Sequence, residues 1–483
     1  MARRLFRILV GLACVVGSTP FLVSPVHASS QDLYISISGS NTTTGSNPSN
    51  CTNEATPCKS LSYALTQASS GATIVIEGFA YLRMTATTTP VFIPSTLSPL
   101  TIVGANGSQG FLEPTGSEVD TVNAAGLYVS SGVTLTIKNV TFDGFETQYY
   151  PTRGGGALFI DSGATVTIQN CLFEFNEAME ANQYPGSYAD GGAILNQGSL
   201  TVSGTVFKEN GAVAPTQNNM QGTLQGGAIY NGGSLTMSSS IVYDNTLLGG
   251  AQEQYFFYGA GIANAGSMSL VNATVTQNSI EYGPSSVVAP LLAEGGGIFN
   301  TGVISMIANS TIADNYLSLP QTPATYGGGI FNNNAIDEIS MSTIYGNFTS
   351  DTNTATNPAS TLGAGIDASI GFSSSAPIYL AGDVIAGNKV YINLPGSSLT
   401  SQPVNCSVTG TGASITSLGY NVSDTSDCNL TQSTDNASTS VAVNYSIGVP
   451  SILFCVGATA PFSLNTVPDT VSEPWLRIAP PSA

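Results

Sequence analysis

The chain has 483 residues, of which 42% are hydrophobic and only 8% charged, enough apolar material for a large core. Asp and Glu total 29 against 10 Lys and Arg, a balance that repels nucleic acid and anionic membranes. Polyanionic substrates are disfavoured for the same reason unless a cation bridges the two.

Residues 1–28 read as a secretory signal peptide. Arg3, Arg4 and Arg7 precede an apolar run from Ile8 to Val16, and Val26 and Ala28 hold the small-residue positions before a cut. Removal takes the one histidine, His27, so a Ser-His-Asp triad and a histidine metal site are excluded from the mature chain. Seven basic residues then face all 29 acids. The expected location is extracellular or the cell surface, with no transmembrane segment in the mature chain. Cysteine use agrees with export. Cys51 and Cys58 are close in sequence, as are Cys406 and Cys428, and each pair is a disulfide candidate. Cys171 occupies a slot held in other copies of a repeat by Thr205, Ser240, Ala273, Ser310 and Ser342, which predicts a buried free thiol. Cys455 has no obvious partner.

Residues 29–80 read as an N-terminal capping module. Leu33 to Ile37 alternates like a strand, Leu61, Ala64, Leu65 and Ala68 follow Ser60 at helical spacing, and Ala72 to Ile76 is a buried strand. Residues 81–398 are assigned to a solenoid. Its early coils are irregular, with strands at Leu100–Val103 and Leu135–Ile137.

The clearest repeats run over 154–388. An apolar residue that opens each copy recurs at Leu158, Ile194, Ile229, Ile262, Ile298, Ile330 and Ile366, at spacings of 36, 35, 33, 36, 32 and 36. The middle segments, such as Leu200-Thr201-Val202 and Leu235-Thr236-Met237, alternate with period 2, the pattern of half-buried strands. The expected fold is therefore all-β, a parallel β-helix of nine or ten coils. Phe173, Phe207, Val242, Val275, Ile312, Ile344 and Ile385 form one inward column. Two asparagine ladders are expected: Asn196, Asn231, Asn264, Asn300 and Asn332, then Asn176, Asn210, Asn245, Asn278, Asn315, Asn347 and Asn388. Residues 399–483 are a C-terminal end region where the repeat decays.

Gly191-Gly192-Ala193-Ile194 followed by Phe207-Lys208-Glu209-Asn210 resembles the repeat of the polymorphic outer membrane proteins. The resemblance covers about half the chain. It implies a right-handed helix of the pectin-lyase-like kind and an adhesin-like role at a cell surface.

Between the asparagine and the next opening residue lie segments of varied composition, expected to be stacked loops and hence the binding region. Their aromatics are Tyr149, Tyr150, Tyr184, Tyr188, Tyr255, Phe256, Phe257, Tyr258, Tyr282 and Tyr326. Aromatic faces beside amides suit sugar rings or a protein surface, so the expected partner is an extracellular glycan or protein. No catalytic residue is assigned. Glu174 and Lys208 share one ladder position, and Glu209, Asp244 and Asp314 the next. No cofactor or metal is expected, beyond weak calcium binding that the latter three acids would fit. Three readings follow: a non-enzymatic binding scaffold, favoured; a polysaccharide lyase or glycoside hydrolase working in a groove; and a structural element of the cell envelope.

Overall fold

A computed structural model describes residues 31–42, 51–83, 89–115, 125–147, 154–179, 187–214, 221–249, 254–282, 292–319, 325–351, 361–369, 376–392, 400–437 and 441. The chain divides into two units, residues 1–30 and 31–483, and the expected signal peptide lies outside the described residues.

The repeat writes the fold directly. Each copy lays one strand in each of three parallel sheets. Sheet A has 12 strands, from Asp32–Ile35 to Ala413–Gly419; sheet B has 11, from Phe79–Arg83 to Val422–Ser423; sheet C has 10, from Val91–Ile93 to Cys406–Thr409. Registers are in phase. Leu158 pairs with Ile194, then Ile229, Ile262, Ile298, Ile330 and Ile366, all fully buried. Phe142, Phe173 and Phe207 stack in the inward column of sheet B with centroids 4.7 and 5.0 Å apart. Each such side chain contributes about 1.5–3 kcal/mol on burial.

Two of the turns in each coil carry the signature residues of the repeat. At the entry to sheet C, Gly226 has φ of +63°, and a Cβ there or at Gly227 would strike the carbonyl oxygens of Ile229 and Ala260. At the exit from sheet B, the asparagine side chain does the work of a strand. Nδ2 of Asn176, Asn210, Asn245, Asn278, Asn315 and Asn347 each donates to the next Oδ1 at 2.9 Å. The column continues through Asn388 to Asn405, one residue further than the repeat pattern indicates. The second ladder, Asn196 through Asn332, is linked at 2.7 Å throughout.

The capping module is continuous with the coil, since Asp32–Ile35 and Thr73–Ile76 are the first two strands of sheet A. Helix Leu61–Gln67 packs Leu61, Ala64 and Leu65 against the core and is capped by the Ser60 side chain, which accepts from Tyr63 N. Cys51 bonds Cys58 and Cys406 bonds Cys428; Cys171 is a buried free thiol.

The expectation of stacked loops needs correction. The segments between Asn and Gly-Gly form two more sheets, D with 9 strands and E with 6. They alternate too: Leu247, Ile280 and Leu317 from sheet D meet Leu224, Phe257 and Ala293 from sheet E in a second, separate apolar core. Burial of that face is what orders them into strands.

Candidate functional site

Within sheet E the aromatic run splits by face. Tyr255 and Phe257 are fully buried in the second core and offer nothing to a ligand; Phe256 and Tyr258 point outward and are half-buried. Tyr188 is exposed and Tyr326 half-buried. Tyr149, Tyr150 and Tyr184 lie outside the described residues, and of Tyr282 only the backbone is described.

The outward column of sheet E that adjoins the glycine turn reads Asp190, Gln225, Tyr258, Glu294, Tyr326. Across that turn, the outward column of sheet C reads Tyr230, Ala263, Phe299, Phe331, Asp367. The columns meet. Tyr258 leans over the small Ala263 to stack on Phe299 at 4.5 Å, and Tyr326 lies 6.0 Å from Phe331. Glu294 is held between the two tyrosines as their ladder neighbour.

Two carboxylates belong to this corner. Glu294 is half-buried; burial first, then the charge of Asp367, pushes its pKa up to about 8. Asp367 is fully buried, and burial pushes it up to about 8 as well, opposed by the Ser407 hydroxyl beside it. Neither Asp367 oxygen makes a hydrogen bond of normal geometry. Tyr326 is raised by burial and by both acids, and Tyr258 by burial, Glu294 and Tyr188. These four groups therefore form one electrostatic unit.

Glu294 and Asp367 were missed when the copies were read along the chain. Read down the ladders, each acid stands out: Glu294 sits between two tyrosines, and Asp367 follows two phenylalanines.

The acids and base singled out in sequence fall at a different corner, between sheets B and D. Glu174 and Lys208 are ladder neighbours as expected, but Lys208 pairs with Glu209, at 3.0 Å. Burial would lower the Lys208 pKa, yet Glu209 and the Glu174 charge raise it on balance. Glu209, Asp244 and Asp314 share the left-handed turn position, with φ of 52°, 54° and 50°. Burial raises Asp314 to about 6, and Asp244 is raised by burial and by Glu209. These acids are spread along a turn and converge on no shared point. Among the described residues, the one cysteine and carboxylate grouping close enough for a metal, Cys406, Asp427 and Cys428, contains the disulfide itself. No helix among them is long and apolar enough to cross a membrane.

Fold and ladders together define a right-handed parallel β-helix protein. The family model described as "Right handed beta helix region" matches residues 101–302. No curated protein matches the chain. Among solved structures, pectate lyase Pel9A is 16% identical over 80% of this chain and 82% of its own, with a TM-score of 0.34. A rhamnogalacturonan lyase is 13% identical over 84% and 87%, with a TM-score of 0.33.

Proposed function

We propose that this chain is a secreted or cell-surface, non-enzymatic scaffold that binds an extracellular glycan in the corner between sheets C and E. The observation that carries the reading is the pair of half-buried tyrosines, Tyr258 and Tyr326, on either side of Glu294 in the ladder, with the half-buried Tyr230 packed on the same aromatic cluster. Aromatic rings that keep one part wet and one part packed suit the apolar face of a sugar, and polar groups fix its orientation. The leader-like N-terminus and the likeness of the repeat to polymorphic outer membrane proteins favour an extracellular setting. A second reading, a glycoside hydrolase, is favoured by the presence of two carboxyl groups in one corner, Glu294 within the electrostatic reach of Asp367, since that chemistry uses a pair of acids.

The test is a binding screen of residues 29–483 against a polysaccharide array and intact cell envelopes, with reducing-end and unsaturated-product assays alongside. Binding without turnover is expected, weakened at least tenfold in Tyr258→Ser/Tyr326→Ser. Product release that disappears in Asp367→Asn would establish the hydrolase instead. Absence of any glycan signal would overturn both.

A further inference from the structure

The Glu294–Asp367 corner carries two acids and no cation. Among the described residues no lysine or arginine is paired with either one; Glu294 is influenced by burial and by the charge of Asp367, and Asp367 by burial and the Ser407 hydroxyl. Asp367 is fully buried and, apart from the Ser407 hydroxyl beside it, neither of its oxygens has a hydrogen-bond partner, where a native structure normally supplies more. Tyr258 and Tyr326 flank Glu294 in sheet E, Phe331 precedes Asp367 in sheet C, and Phe299 stacks on Tyr258. Aromatic walls around carboxylates are the surroundings that an organic ammonium group selects, because ring faces and anions both attract it. A chain with nearly three times as many acids as bases also concentrates a cationic ligand around itself.

Resting on the glycan-binding reading, the geometry points to a glycan that bears protonated primary amines, an amino-sugar polymer without its N-acyl groups. The ammonium group contacts the Glu294 carboxylate between the Tyr258 and Tyr326 rings, and Asp367 lies behind it as the second negative charge. The pyranose ring rests against the tyrosines. Because both acids titrate near 8 in the free protein, ammonium binding at pH 7 displaces protons from the corner.

Calorimetric titrations of residues 29–483 with four probes test this: a β-1,4-linked glucosamine tetramer, its N-acetylated counterpart, tetralysine and calcium chloride. The glucosamine tetramer is expected to bind at least tenfold more tightly than the N-acetylated one, with a heat that changes with buffer ionisation enthalpy. Glu294→Gln and Asp367→Asn should each weaken it at least tenfold, and Tyr258→Phe, which keeps the ring, less than threefold. Equal binding of both tetramers would overturn the ammonium inference and leave the glycan reading standing. No binding of either tetramer would overturn the amino-sugar inference, and the glycan reading falls with it only if the polysaccharide array also gives no signal. Tetralysine or calcium binding as tightly as the glucosamine tetramer would replace the amino-sugar assignment with a general cation site. Glucosamine binding unchanged in both acid variants, with unfolding temperatures no lower than the parent's, would place the ligand elsewhere and also overturn it.

Discussion

Asn245 shows how much one buried side chain does in this fold. Its Nδ2 donates to Phe207 O, Tyr243 O and Asn278 Oδ1, and its Oδ1 accepts from the backbone and side-chain amides of Asn210. Removing it strands a buried N–H and a carboxamide in the neighbouring coil. Asn245→Ala should therefore lower stability by about 2–4 kcal/mol, read from the urea midpoint, more than a single hydrogen bond would. Glu294 and Asp367 act in the opposite sense. Unfolded, such carboxyls titrate near 4; in the fold they titrate near 8. Below pH 4 both states hold the proton and nothing is lost. Between about 4 and 8 the unfolded chain releases protons that the folded one keeps, so stability falls as pH rises. The slope approaches about 1.4 kcal/mol per pH unit for Asp367 and is smaller for the partly solvated Glu294. Urea midpoints at pH 5 and pH 8 should differ clearly in the parent and by much less in Asp367→Asn; equal midpoints in the parent would refute the assignment. Of these residues the asparagines were legible in sequence because they repeat with the coil. The two acids were not, because neither recurs on adjacent coils of its column and its meaning depends on neighbours about 35 residues away.

The lateral sheets D and E are the elements that sequence reading took for loops. Their alternation is present in Gln254-Tyr255-Phe256-Phe257-Tyr258, but each strand is short and the segment between the two sheets varies in length from coil to coil. Without the register, an inward Phe257 looks like an outward Phe256. The register separates them sharply. Phe257→Ala opens a cavity in the second core and should destabilise by about 3–5 kcal/mol, while Phe256→Ala on the outer face should stay within about 0.5 kcal/mol. If both variants have the parent's urea midpoint, the second core is not a packed unit. The hydroxyl ladder was legible only as a run of small residues. In the structure Thr205, Ser240, Ser310 and Ser342 turn that slot into a hydrogen-bonded column, in which Ser342 Oγ accepts from Ser310 N at 3.1 Å and Asp383 Oδ1 accepts from Ser342 N at 2.7 Å.

For the whole coil, the difficulty is how to stop. A parallel stack ends in an unpaired strand edge, which invites another chain. At the C-terminal end the outer edge of strand Ala413–Gly419 and the residues after it are met by side chains. Asn429 Nδ2 donates to Ile415 O and Gln432 Nε2 to Ser417 O, while Thr434 Oγ1 and Asp435 Oδ1 accept from Tyr420 N and Asn421 N. A chain ending after Ser423 lacks these groups and the Cys406–Cys428 bond. Light scattering should find it self-associated where the parent is not; a monodisperse truncation would show that the edge is protected otherwise. The coil itself was readable from period and alternation, whereas this cap was not, since it uses isolated side chains and no pattern.

The in-phase stacking has a mechanical side. Neighbouring coils are joined by backbone ladders and by one asparagine contact per column, and each coil touches only the coils on either side. A force pulling the chain out from one end would therefore load one coil at a time. Each detached coil of 32 to 36 residues frees about 110–120 Å of extended chain. Under tension the molecule would lengthen in steps of nearly equal size, so that an attachment made through it yields gradually and holds while it stretches.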